Sequence, residues 1–320
     1  MRPQVFITAN EDTQAMIIYF AGFYTSGWGR RRDLIPKKFS TLESYWYLKT
    51  RRKRAGVVTV KEARCEEIQN FFLDSGAYTA HSKGITITLD EYIKYVHANK
   101  KYTTVYCVLD SIGNAKETWD AQKEMEKQGL NPLPVFHSAE DVKYLKRYVD
   151  NYEYVGIGGA AGSAKWSREY YFDRIRSVLL GPGGVPRIRI HGFGITEPQY
   201  MLMFPWYSVD STSWVLQAAY GAIYVLLGKK WHVLPTSPRY SNANKPGAFH
   251  WNHISKEEKD VIRQKMVEYS RNTNNGKFTE KDLCNDGYAR QSWNMHCFMD
   301  LVGRYEELKK LVLTAQEFFV

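Results

Sequence analysis

Six short stretches end in residue types that do chemistry. Asp74-Ser75-Gly76, Asp110, His137, Gly158-Gly159, His191-Gly192 and Asp210-Ser211 each follow directly on an apolar run. Three of these positions, Asp74, Asp110 and Asp210, are carboxylates. Carboxylates gathered in one cleft divide their work: one stays ionised as a nucleophile while a neighbour keeps a proton and serves as acid or base. Glycosyl transfer uses such a pair, one group at the anomeric carbon and the other on the leaving-group proton. A carboxylate cluster also suits Mg²⁺, and spacing alone leaves both readings open. The glycine-rich run 156–162 (GIGGAAG) reads as a cradle for a phosphate or a planar ring, or as a tight turn between strand and helix. His191 in HGFG reads as a hydrogen-bond donor in an open mouth, with a satisfied core histidine as the alternative.

For these residues to meet, the runs before them must be strands of one sheet. Candidates are 17–23, 71–74, 103–110, 133–137, 154–158, 188–192 and 207–210, with 231–234 as an eighth. Their β-branched and aromatic content, without clean alternation, suits strands buried on both faces. Helical stretches lie between them. Asn114 and Ser138 stand as N-caps, Gly129 and Pro132 stop the helix that starts at Ala115, and Thr196 caps one starting at Glu197-Pro198. Eight strands with alternating helices predict an α/β chain, a (β/α)8 TIM-like barrel over 1–240, whose strand ends converge on a C-terminal mouth. Neither GxGxxG after the first strand nor GxxxxGK[ST] occurs, which argues against an open nucleotide-binding sheet. Residues 24–70 read as an insertion after the first strand, and 241–320 as a C-terminal helical region with a turn or loop at 272–276.

Charge names a partner. The 320 residues carry 44 Lys and Arg against 34 Asp and Glu, a net +10. Arg30-Arg31-Arg32 and Arg51-Arg52-Lys53-Arg54 bracket Tyr45-Trp46-Tyr47. Phosphate backbones attract such clusters by counterion release, and exposed rings stack on bases. The expected partner is a nucleic acid; the alternative is a solvated basic insertion. Four cysteines without a CxxC exclude a disulfide scaffold, a zinc ribbon and a thioredoxin-type pair. His250 and His253, with Cys284 and Cys297 downstream, are scattered candidates for a structural zinc, set against a preferred reading as incidental histidines and free thiols. The longest apolar run, 218–227, is too short to span a bilayer, and the first residues lack a signal-peptide core, so a cytoplasmic protein is expected (host cytoplasm if viral).

Taken in order, FLDSGAY (72–78), YCVLDSIGN (106–114), PVFH (134–137), YVGIGG (154–159), HGFG (191–194) and YSVDSTSW (207–214) resemble the tRNA-guanine transglycosylase superfamily, most closely its phage-type DNA-guanine transglycosylase branch. The resemblance runs from about residue 15 to about 235. It implies a (β/α)8 barrel that exchanges guanine in a nucleic acid for a 7-deazaguanine base, with no cofactor required. It further implies Asp210 as the nucleophile at ribose C1′ and Asp74 as the acid/base. Asp110 would recognise the guanine edge, with Ser75, Gly76, His191 and the Gly158 and Gly159 amides also on the base. The CxCxxC zinc motif of the tRNA enzymes is missing, and Gly76-Ala77-Tyr78 stands where they carry GGF; both departures favour DNA over tRNA. Rival readings are the same exchange on tRNA, a hydrolytic N-glycosidase and a non-catalytic nucleic-acid binder.

Overall fold

Parallel strands covered on both faces favour runs of β-branched and aromatic residues, as in IIYFA (17–21) and YVGIG (154–158). The computed structural model describes residues 16–50, 56–159, 165–195, 197–227 and 230–305. Eight strands make one sheet: β1 (Ile17–Ala21), β2 (Phe39–Ser44), β3 (Ile68–Asp74), β4 (Val105–Tyr106), β5 (Val135–His137), β6 (Tyr154–Gly158), β7 (Arg189–Gly192) and β8 (Ser208–Ser211). Their order is β4-β3-β2-β1-β8-β7-β6-β5, and every pairing is parallel. Helices such as Leu89–Asn99, Ala115–Lys127, Val142–Asn151 and Lys165–Leu179 alternate with the strands. The chain is thus α/β with a curled eight-stranded parallel sheet. The sheet's two ends approach each other: Leu133 N–H donates to the Tyr106 carbonyl at 2.8 Å, and Val108 N–H to the Leu133 carbonyl at 3.0 Å.

Register decides which side chains face inward, because parallel partners share a face. Tyr19 pairs with Ser40 and Asp210, Ser44 with Asp74, His137 with Gly158, and His191 with Ser208. One concave face therefore carries all these residues. Below the strand ends it is filled by rings, with Phe72 5.4 Å from Tyr19 and 4.7 Å from His191 between centroids.

Two expectations about strands fail. The stretch 24–70, read as an insertion, supplies β2. Its sequence FSTLES lacks an apolar run because its polar groups find partners inside the fold. Thr41 Oγ1 donates to the Phe20 carbonyl at 2.8 Å, and the buried Glu43 carboxylate accepts from Tyr24 N–H. Residues 231–234 are not in the main sheet but in the antiparallel pair β9 (Ala222–Leu227) and β10 (Lys230–Pro235). Helix starts also differ. Asp141, not Ser138, caps Val142–Asn151 by accepting from Lys143 N–H at 2.9 Å. Glu197 precedes Pro198–Met203, and Thr196 lies outside the described residues.

The C-terminal region is helical: Lys256–Arg271, Glu280–Asn285 and Gly287–Gly303. The turn at 272–276 is fastened to the barrel side, with Lys37 N–H donating to the Asn272 carbonyl and Gly276 N–H to the Asp33 carbonyl. Among the described residues no helix is long and apolar enough to cross a membrane.

Candidate active site

β3 ends in Asp74 and turns at once into the helix Ala77–Ser82. Gly76 makes this turn possible: its φ is +79°, and a Cβ there would sit 2.5 Å from both Ser44 Oγ and Trp46 Cβ. The turn aims Gly76 N–H at Asp74 Oδ2, 2.9 Å away. Asp74 Oδ1 faces the buried Cys107 thiol at 3.7 Å. Burial, then the charge of Asp110 and that of Asp210, push the Asp74 carboxyl up to about 7, against the opposing pull of Gly76 N–H and Cys107. A carboxyl at that value exchanges a proton with a reacting group near neutral pH. The Cys107 thiol is itself held well above its ordinary value by burial and by Asp74, so it stays protonated.

Asp110 is gripped from two sides. Ser75 Oγ donates to its Oδ1 at 2.8 Å, and His137 Nε2 lies 2.8 Å from Oδ2. Burial disfavours the His137 cation, but the bond to Asp110 and its charge outweigh burial and raise the imidazole's value. His137 is oriented by its own backbone, whose N–H donates to Glu140 Oε2 at 2.9 Å. Above the ring there is room only because residue 158 is glycine: a Cβ would approach the imidazole to 2.8 Å. From Asp110 a cleft of about 650 Å³ opens between Ala80, Ile87, Leu109 and Glu117. That space accommodates a purine; its lining does not include Asp74 or Asp210.

Asp210 sits at the end of β8, buried, with two strands, β1 and β2, between it and β3 around the curl. Its Oδ1 accepts from Gly194 N–H at 2.9 Å and lies 3.4 Å from His191 Nε2. Its Oδ2 accepts no hydrogen bond from the described residues. Of the three carboxylates, Asp110 and Asp210 both raise the Asp74 carboxyl's value by their charge.

No protein-family model matches the chain, and no curated protein does. The site has to be read from its own geometry.

Other expected residues fall into three groups. Ser75 and Gly76 are at the site but buried, serving the carboxylates around them. Gly158 and Gly159 line the β6 end, their carbonyls taken by Tyr171 Oη and Ser138 Oγ at 3.1 Å each, while 160–162 lie outside the described residues. His191, expected as a donor in the mouth, is fully buried and touches Ser208 and Asp210 instead.

The basic cluster divides. Arg31 Nη1 binds Asp282 at 3.0 Å and Asp286 at 2.9 Å, and Arg32 binds Glu66 and Glu67. Both guanidiniums thus tie parts of the fold together. Arg30 lies over the Tyr288 ring at 5.5 Å. Arg51, Arg52, Lys53 and Arg54 lie outside the described residues. Tyr45 and Trp46 are buried in the body, and only Tyr47 of that aromatic trio is exposed.

The zinc candidates do not converge. His250 Nδ1 accepts from Asn252 N–H and its Nε2 faces the Ser237 carbonyl, while His253 Nε2 faces the Ala243 carbonyl. Among the described residues no three His, Cys, Asp or Glu side chains are grouped to hold a metal.

Sequence reading left His137, Cys107, Ser208 and Tyr154 without a role. For Ser208 a signal existed: two residues before Asp210 on a strand, it had to share that residue's face.

Proposed function

We propose that this chain is a base-exchange glycosyltransferase that replaces guanine in DNA with a 7-deazaguanine base. The observation that carries this reading is the pairing of two unlike carboxyls. Asp74 is pushed up to about 7 by burial and its acidic neighbours, and Asp210 has one oxygen fixed and the other without a hydrogen bond from the described residues. Asp210 Oδ2 attacks ribose C1′, the C1′–N9 bond breaks, and its electron pair leaves with the base. Protonated Asp74 supplies the proton that base requires. The incoming base then gives its N9 proton back to Asp74, attacks C1′ and displaces the Asp210 carboxylate. The glycosyl bond energy is held in the ester, so no nucleotide cofactor is needed.

Asp110, set by Ser75 and His137 beside the cleft, is the group for the base's donor edge. The target nucleotide must leave the stack for C1′ to be reached. The fold proposed for this work is a (β/α)8 barrel closed between β4 and β5, and the Cys107–Leu133 bridge supports closure. The ordered motifs from FLDSGAY to YSVDSTSW support the family assignment, and the missing CxCxxC favours DNA over tRNA.

The test is incubation with labelled guanine and either DNA or tRNA. DNA is expected to take up label, and quenching in denaturant is expected to trap a protein–DNA adduct. Asp210→Ala is expected to bind DNA but exchange nothing, and Asp210→Asn to give no adduct. Label entering only tRNA moves the substrate assignment; free base released with water as acceptor, and no incorporation, replaces exchange with hydrolysis. Turnover retained by Asp210→Ala ends the nucleophile assignment.

A further inference from the structure

Behind Asp210 runs a line of buried polar groups that the exchange reaction, as derived above, does not use. Tyr154 Oη lies 2.6 Å from Ser208 Oγ, which lies 2.6 Å from His191 Nδ1. His191 Nε2 then faces Asp210 Oδ1 at 3.4 Å. His191 and Ser208 are fully buried. The His191 ring is walled by Phe72 at 4.7 Å, Phe193 at 4.5 Å and Tyr19 at 6.0 Å.

Hydrogen-bond inventory gives the line a direction. A carboxylate only accepts, so the nitrogen facing Asp210 has to carry the ring proton. Nδ1 is then the acceptor and must take the Ser208 hydroxyl proton, which leaves the serine oxygen to accept from Tyr154. The opposite tautomer would turn a nitrogen lone pair toward a buried carboxylate. Burial lowers the imidazole's value against the pull of Asp210, in keeping with a neutral ring.

We propose that His191 is a positioning residue for Asp210: its Nε2–H, fixed by Ser208 and Tyr154, joins Gly194 N–H in holding Oδ1, so that Oδ2 is the atom presented for attack. This rests on the proposed role of Asp210 as nucleophile and adds how that oxygen is chosen. In the second half-reaction the C1′–Oδ2 bond breaks and its electron pair returns to the carboxylate. Gly194 N–H, bonded to Oδ1, and His191 Nε2, 3.4 Å from it and without another partner, are then placed to stabilise the departing charge.

The deciding measurement is a long-range ¹H–¹⁵N correlation of the histidine ring nitrogens in the full chain, with His191 assigned by its loss in His191→Gln. An Nε2–H tautomer is expected in the wild type; an Nδ1–H tautomer overturns the proposal, whatever reaction the protein performs. Kinetics give a second arm on the wild-type exchange. Ser208→Ala is expected to lower kcat about 10- to 100-fold with KM changed by less than about threefold. Tyr154→Phe, which keeps the ring in its packing, is expected to lower kcat by a smaller factor in the same sense. Unchanged kcat in both variants, beside an active wild type, also overturns it. A wild type that exchanges no base yet shows the Nε2–H tautomer removes the proposed function and leaves the relay geometry standing.

Discussion

Replacing Asp74 with Asn separates what that carboxyl does for chemistry from what it does to the fold. In the folded chain it keeps its proton up to about pH 7, whereas its ordinary value is 3.8. Between those values the folded state holds a proton that the unfolded state has released, so stability falls as pH rises through that window and levels off above it. Asn does not titrate there, matches the shape, and keeps a carbonyl oxygen for Gly76 N–H. The wild type should therefore lose about 2–3 kcal/mol relative to Asp74→Asn between pH 5 and pH 8. At pH 8 the accumulated deficit is about 4 kcal/mol, a large share of an ordinary domain's stability. Urea unfolding of both proteins at pH 5, 6, 7 and 8 reads this directly, with exchange activity lost in the variant throughout. A stability gap that stays constant across the range, or narrows with rising pH, shows that Asp74 ionises normally and removes it as the acid.

Four further outcomes are expected. Gly76→Ala combines a left-handed backbone with a Cβ 2.5 Å from Ser44 Oγ and Trp46 Cβ, and is expected to destabilise by about 2–4 kcal/mol in a denaturant titration. Arg31→Ala should destabilise by about 1–2 kcal/mol, between exposed and buried pairs, without altering the salt dependence of DNA binding. Neutralising Arg51, Arg52, Lys53 and Arg54 together should instead flatten the slope of log K against log salt by up to about 3.6, and an unchanged slope shows that this cluster faces away from DNA. Prolonged chelation is expected to leave the melting temperature unaltered, since His250 and His253 are engaged with backbone groups; a fall on chelation returns zinc to the fold.

The site was more legible than the sheet. Strand ends announce themselves where an apolar run stops at Asp or His, as at Asp74 and Asp210; Asp110 differs, since β4 stops at Tyr106, short of the end of the expected strand 103–110. β2 was hidden because FSTLES satisfies its polar groups through Phe20, Tyr24 and other non-neighbours. The segment 231–234 has the composition of a sheet strand, and only its pairing with β9 reveals a separate hairpin. The pairing of Arg31 was hidden for a related reason: like charges adjacent in sequence look unpaired until Asp282 and Asp286, some 250 residues downstream, come into contact. The Tyr154–Ser208–His191 line links residues on three strands, and no local pattern records such a connection.

Asn294, deep in the helix Gly287–Gly303, deserves a reading in terms of chain integrity. Its side-chain amide donates to the Trp214 carbonyl at 2.9 Å, and its oxygen accepts from Tyr224 N–H at 2.8 Å. Trp214 stands four residues beyond Asp210, in the short helix Ser213–Ala219 that leads the backbone away from β8. The last described helix thus splints the backbone that leaves β8. A protein shortened before Gly287 would shed that splint and leave the segment after Asp210 without these two ties.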